Sequence, residues 1–453
     1  MWYLQTDVLL RLFIACGAMI LISGLSRLIF KKDFGPKVLV FASIAVIAYV
    51  SWQLAIAIVC YTLITFIFAR ILKPLKKTRR FFFVLFSILC TVPFFYGRMT
   101  EFFPQLPVII TFVGIAYHML KAVDVMYFVY YTDMDIPFLT YVNYMLFFPT
   151  FTAGPIFRYR DFQKVYNKPV PLTTDRFITC VKRFIKGMFK KMVVLYFVST
   201  FFNFLVASEK HWYVSLAIVV FSYLFLFFDL SGYSDMAIGL GRMLGFHFGE
   251  NFEYPYISRS ITEFWRRWHI SLSTFFRDYV YIPLGGNRYH AIRNIFIVWL
   301  LTGLRHGASW NFIFWGLFYG VLLFIEKTLF KKKLQKIPAP ICYIYTMFFV
   351  ILGWALFYFT DLNALWTFIK SAFGVGTALY DLTAVSTFCT NAWLIAVCVI
   401  ASTPIPTIIH KNFCKKSKVF AAISEPVLVI VGLGVCFVLL VGQTYNPFLY
   451  FRF

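Results

Sequence analysis

Apolar runs long enough to cross a bilayer recur along almost the whole chain, separated by short clusters of lysine and arginine. No other feature restricts the possible folds as severely. A span needs about 20 predominantly apolar residues, fewer where the bilayer thins. Segments of that kind lie near 8–29, 38–51, 54–69, 81–96, 108–131, 136–156, 184–206, 213–228, 292–304, 312–329, 339–360, 392–409 and 424–443. Backbone polar groups in hydrocarbon must bond within their own segment, so these runs are expected to be helices, with the short ones paired, re-entrant or covered by neighbours. Apolar residues make up 61% of the 453 and charged residues only 14%, too few to coat a water-facing globule.

The expected architecture is all-α and polytopic: about eleven transmembrane helices, with re-entrant and in-plane helices around a central tunnel or funnel. No repeat, low-complexity tract or soluble linker interrupts it, so residues 1–453 are read as one membrane-embedded domain.

Lysine and arginine number 43 against 19 acidic residues, a formal charge of +24. The excess gathers at Lys31, Lys32 and Lys37, from Arg70 to Arg80, from Arg158 to Lys191, from Lys331 to Lys336 and from Lys411 to Lys418. Short cationic runs pinned to span ends are the bias of cytoplasmic loops and face anionic lipid, which argues against nucleic acid as the partner. Placing them inside puts both termini outside and requires one re-entrant segment between 108 and 156. The nine cysteines form no CxxC pair and read as small hydrophobes. The N-terminus lacks a cationic region and a cleavage site, so the first span is expected to stay in place.

Chemistry concentrates in two places. From Asn251 to Arg288 the chain reads NFEYPYISRSITEFWRRWHISLSTFFRDYVYIPLGGNR. Phe264, Trp268, Leu272, Phe275, Phe276 and Tyr279 recur at helical spacing, with Arg266, Ser273 and Arg277 on a second face and Arg267, Ser271, Thr274 and Asp278 on a third. This predicts an amphipathic helix lying in plane or dipping into a funnel, with Glu263 in reach of Arg266 and Arg267. A peripheral helix with snorkelling arginines fits the pattern as well. The second place is LTGLRHGASWNFIFWGLFYG, where His306 sits between two apolar helices beside Arg305, Trp310 and Asn311. Gly303, Gly307, Ala308 and Ser309 form a small collar that lets a backbone or thin substrate approach. A lone intramembrane histidine can also serve only to bond a neighbouring helix.

His118, Asp124, Asp229 and Asp235 are weaker signals, and for the first two a packing role is favoured. GxSxG, HExxH and P-loop motifs are missing, which leaves hydrolase, zinc protease and ATPase readings without residues.

Three blocks carry a resemblance: FFPTFTAGPIFRYRDF from Phe147 to Phe162, the Asn251 to Arg288 stretch, and LRHGASWNFIFWG from Leu304 to Gly316. They resemble the membrane-bound O-acyltransferases, in particular the bacterial branch containing the alginate acetylation protein, and more distantly the teichoic-acid D-alanylation branch, which shares a WHxSLS core. The resemblance implies that His306 matches the family's essential histidine and His269 its second motif histidine. Arg305 stands where the family usually has tryptophan, and its charge is expected to lower the pKa of His306.

On this reading His306 is the base and His269 orients the donor or supports the helix. Trp265, Arg266, Arg277, Asp278, Asn287, Arg305, Trp310 and Asn311 are the candidate substrate-binding residues. The expected donor is an acyl thioester, acetyl-CoA, with no tightly bound cofactor and no metal. The acceptor is an extracellular polysaccharide reached through an extracellular acetyltransferase partner, and the location is a bacterial plasma membrane. Tyr450, in the terminal FLYFRF, resembles a tyrosine acyl relay, although an aromatic tail can equally lie in the interfacial belt. D-alanyl transfer to teichoic acid is the alternative within the class, and a transporter or channel the alternative outside it.

Overall fold

A computed structural model describes residues 35–442 apart from 104, 108–113, 152, 168–171, 209–210, 308, 331–335 and 377–381. The expected first span at 8–29 and Tyr450 lie outside the described residues. Among the described residues every regular element is helical, as the apolar runs require. Among the described residues six helices are long and apolar enough to cross a membrane, or up to seven if the bent pair Ala392–Ala401 and Ile405–Lys416 counts as one. Several other expected spans are short: those near 38–51 and 292–304 become 16-residue helices.

Contacts divide the chain into two compact units, residues 1–181 with 237–249 and residues 182–236 with 250–453. The first contains α1 (Gly35–Val50), α2 (Trp52–Leu72), α3 (Arg79–Phe102), α4 (Ile115–Thr132), α5 (Phe138–Leu146) and α6 (Tyr159–Asn167). Ser51 starts α2: extended at φ −161°, it accepts from the Leu54 amide, satisfying one orphan donor of the first turn. The nine residues of α5 extend about 14 Å, less than half the hydrocarbon thickness. Asp124 on α4 accepts from the Tyr144 hydroxyl at 2.8 Å and the Tyr159 amide at 2.6 Å, and His118 bonds the Gly114 carbonyl at 2.9 Å. Both are engaged in packing, the role favoured for them from sequence.

Next along the chain come α7 (Thr174–Phe189), α8 (Leu195–Ala207), which follows α7 through a π turn at Lys190–Val194, and α9 (Trp212–Met243). Within the second unit Gly187 faces Gly232 so closely that a Cβ on Gly232 would stand 2.9 Å from the Gly187 carbonyl oxygen. That approach brings cations of one helix onto acids of the other. Asp235 receives Arg183 at 2.5 Å and Lys190 at 2.8 Å, and Lys191 pairs with Asp229 in full burial. The two aspartates are therefore held by partners, the condition under which charge persists at membrane depth.

The rest of the second unit comprises α10 (Ile261–Arg267), α11 (Ile270–Phe276), α12 (Ala291–His306), α13 (Trp310–Thr328), α14 (Ala339–Tyr358), α15 (Leu362–Ala372), α16 (Leu382–Thr390), α17 (Ala392–Ala401), α18 (Ile405–Lys416) and α19 (Lys418–Gly442). Its core joins α8, α9, α10, α12, α13, α14, α15 and α17. The outward face of α19 is apolar: Leu428, Ile430, Phe437 and Val438 are exposed, a surface that lipid rather than water can cover.

Candidate active site

The Asn251 to Arg288 segment departs from the continuous helix that its spacing predicts. It breaks at Trp268 and His269, where Trp268 is extended and His269 adopts φ 45°, ψ 55°, in the left-handed region that a β-carbon disfavours. Asn251 holds the break. Its carbonyl accepts from the Ile270 amide at 2.9 Å, and its side-chain oxygen accepts from the Ser271 amide at 3.1 Å and the Ser271 hydroxyl at 2.8 Å. Two short helices result, α10 and α11, followed by a π turn at Arg277–Tyr281. Trp268 is buried, its ring 5.7 Å from Phe264, 5.1 Å from Phe252 and 5.0 Å from Trp354. The expected pair at Glu263 forms with Arg267, at 2.8 Å.

His306 ends α12, and Gly307 turns the chain into α13. The small collar serves protein packing: a Cβ on Gly303 would strike the Phe312 carbonyl oxygen, one on Gly316 the Trp299 carbonyl oxygen, and one on Gly307 the Phe312 ring. Backbone against backbone, α12 and α13 form a tight hairpin. His306 is thereby fixed edge-on to Trp315 and Phe357, with ring centroids 5.2 Å away in each case.

A cavity of about 900 Å3 lies within the second unit, and its wall includes His306, His269, Trp265, Arg266, Arg277 and Asn287. The fold thus gathers six of the candidates from two separated stretches. The other four stand off this wall. Asp278 pairs with Arg277 at 2.7 Å. Trp310 is 61% exposed and leans on Phe314. Asn311 is buried and donates to the carbonyls of Leu356 and Phe357, tying α13 to the end of α14. Arg305 is buried beside the cavity, and its guanidinium bears on His269. Enclosure first, and that charge second, push the His269 imidazole down to about 3, so it is neutral at physiological pH. Sequence alone had set Arg305 against its neighbour His306.

Two wall residues were missed from sequence. Glu326 is 5% exposed and accepts from the Ile261 amide at 2.6 Å, the Thr262 amide at 2.8 Å, the Thr262 hydroxyl at 2.6 Å and the Tyr345 hydroxyl at 3.2 Å. Lys327 donates to the Tyr281 hydroxyl at 2.9 Å and the Asn287 side-chain oxygen at 2.5 Å. A signal existed: Glu326 follows Trp315, Tyr319 and Leu322 at helical spacing, an acid at a core position of an apolar helix.

Residues 126–369, which include the α10 to α13 wall of this cavity, match the membrane-bound O-acyltransferase family, MBOAT. The chain belongs to that family. A protein named probable alginate O-acetylase AlgI from Pseudomonas putida is 32% identical to this MBOAT chain over 75% of each. Its namesake in Pseudomonas aeruginosa is 38% identical over 58% of this chain and 52% of its own length. The chain therefore spans about half of that relative. A teichoic acid D-alanyltransferase of Bacillus subtilis is 32% identical over 55% of this chain and 69% of its own length.

Proposed function

We propose that the chain is a membrane-bound O-acyltransferase that takes an acyl group, acetyl in the first instance, from a cytoplasmic thioester and serves O-acetylation of an extracellular polysaccharide in a bacterial plasma membrane. One observation carries this: His306 shares a cavity wall with two arginines, Arg266 and Arg277. A base and fixed cations on one enclosed surface suit a hydroxyl acceptor and an anionic thioester such as acetyl-CoA.

In this scheme His306 accepts the hydroxyl proton as the oxygen attacks the thioester carbonyl. The carbon–sulfur bond breaks, and the proton passes from the imidazolium to the departing thiolate. Trp265 and Asn287 line the bound donor, and neutral His269 supports it without adding charge. Names of relatives favour acetyl over D-alanyl transfer, since the O-acetylases match at higher identity or over more of the chain. Tyr450 is proposed as the relay that carries the acyl group to an extracellular partner transferase. A polysaccharide that keeps its acylation in Tyr450→Phe cells removes that step alone.

The central test is His306→Ala with mass or NMR analysis of surface polysaccharide. Loss of ester-linked acetyl, with the protein still in the membrane, is expected. Substantial acetylation by the variant overturns the assignment. Loss of D-alanine in place of acetate selects the other branch. A transporter would also lose no ester when His306 becomes Gln, an uncharged side chain of similar reach.

A further inference from the structure

Helix α13 packs against both the His306 side and the Trp265 side of the cavity wall. Near its start Trp315 packs on His306 and, at 5.6 Å, on Trp265 of α10. One turn on, Tyr319 meets Trp265 at 4.8 Å. In its last turn Glu326 holds the first residues of α10, Ile261 and Thr262, and the adjacent Lys327 holds Tyr281 and Asn287 at the far end of the same segment. Its other side is locked to α12 by the Gly303 and Gly316 contact.

We infer that α13 is a strut that sets the spacing between the two motif histidines, with Glu326 as its principal positioning residue. His306 is anchored to the strut through α12. Arg266 and His269 are anchored to it through α10, whose entry is fixed by three of the four hydrogen bonds that converge on Glu326, the fourth coming from Tyr345 of α14. All four donors are neutral, two of them backbone amides, so the carboxylate can dictate where the segment begins without competing for the cavity's cations. Lys327 clamps the distal end, so the segment is held at two points and cannot slide along α13. Glu326 touches no reacting group in this account; it acts through the position of Arg266 and His269. The inference rests on the acyltransfer reading.

The test uses the full-length protein in membranes, with acetyl-CoA concentration varied and ester formation measured. Glu326→Gln keeps shape but turns an amide nitrogen toward one of the donors at Ile261 and Thr262, and is expected to raise KM for the donor about tenfold while kcat falls less. Thr262→Val, which removes one of the four bonds, is expected to raise the same KM several-fold at unchanged protein level. Should Glu326→Gln fail to reach the membrane, Thr262→Val alone decides. Wild-type KM and kcat in Thr262→Val, or in a well-expressed Glu326→Gln, overturn the strut. His306→Ala in the same assay separates the two ideas: full activity there defeats the acyltransfer reading, whereas an inactive His306→Ala beside an unaffected Glu326→Gln defeats only the strut.

Discussion

His306 stands edge-on to Trp315, ring planes inclined by 81°. Trp315 is 1% exposed, and the same indole packs against Trp265, Trp299 and Tyr319. The aromatic quadrupole favours this edge-to-face arrangement and fixes the imidazole in one orientation. Replacing Trp315 with Ala should cost about 3–5 kcal/mol of stability through the cavity it opens. Trp315→Phe, which keeps a ring, should cost less and retain measurable ester formation. Equal losses of activity in the two variants at equal protein level would show that the ring does not orient His306.

The hairpin of α12 and α13 depends on missing side chains. A methyl on Gly316 would collide with the Trp299 carbonyl and one on Gly303 with that of Phe312. Gly316→Ala is therefore expected to destabilise by about 1–3 kcal/mol, because backbone cannot yield as a side-chain tip would. Detergent-solubilised protein should unfold at lower temperature, and donor KM should rise as α13 shifts. A Gly434→Ala control, where a Cβ meets nothing within 4 Å, should leave the melting temperature in place.

His269 makes a pH prediction with a definite sign. Its folded pKa, about 3, lies below the ordinary 6.5, so the unfolded chain binds a proton that the folded chain refuses. The stability tied to His269 is fully present above pH 6.5 and declines as pH falls from 6.5 toward 3. His269→Gln removes that titration. Melting temperatures taken from about pH 7.5 down to about pH 4.5 should fall more steeply for the wild type than for the variant. Parallel curves would mean that His269 gains and loses protons freely.

Why some of this was legible and some was not has a physical answer in the same segment. Phe264, Trp268, Leu272, Phe275 and Phe276 are all buried, as their spacing demands, yet the helix through them is broken. Periodicity reports which side chains face the core, and a kink that preserves the facing leaves no trace in it. The cause of the break is Asn251, about twenty residues upstream, and a contact at that separation has no local signature. The placement of His306 between two apolar helices followed from the runs that flank it. The glycine collar was found, but whether the room it leaves takes substrate or backbone is a tertiary fact. Glu326 was open to the periodicity argument, as an acid at a core position of an apolar helix.

Asn251 is where the break can be tested directly. Its side-chain oxygen accepts twice from Ser271 while its amide donates to the Ser234 hydroxyl at 3.1 Å, and it is 2% exposed. In Asn251→Ala the Ser271 amide and hydroxyl lose their acceptor, at a cost of about 1–3 kcal/mol for donors left unsatisfied. The Ile270 bond runs to the backbone carbonyl and survives, so the fold should persist while the left-handed turn at His269 loosens. The expected result is near-normal protein in the membrane with ester formation reduced at least several-fold. Asn251→Asp keeps the acceptor for Ser271 but loses the donor to Ser234 and buries a charge, so it should express less well than Asn251→Ala and retain more activity per molecule. If Asn251→Ala works at the wild-type rate, the turn geometry at His269 is irrelevant to the chemistry, and His269 is reduced to a wall residue.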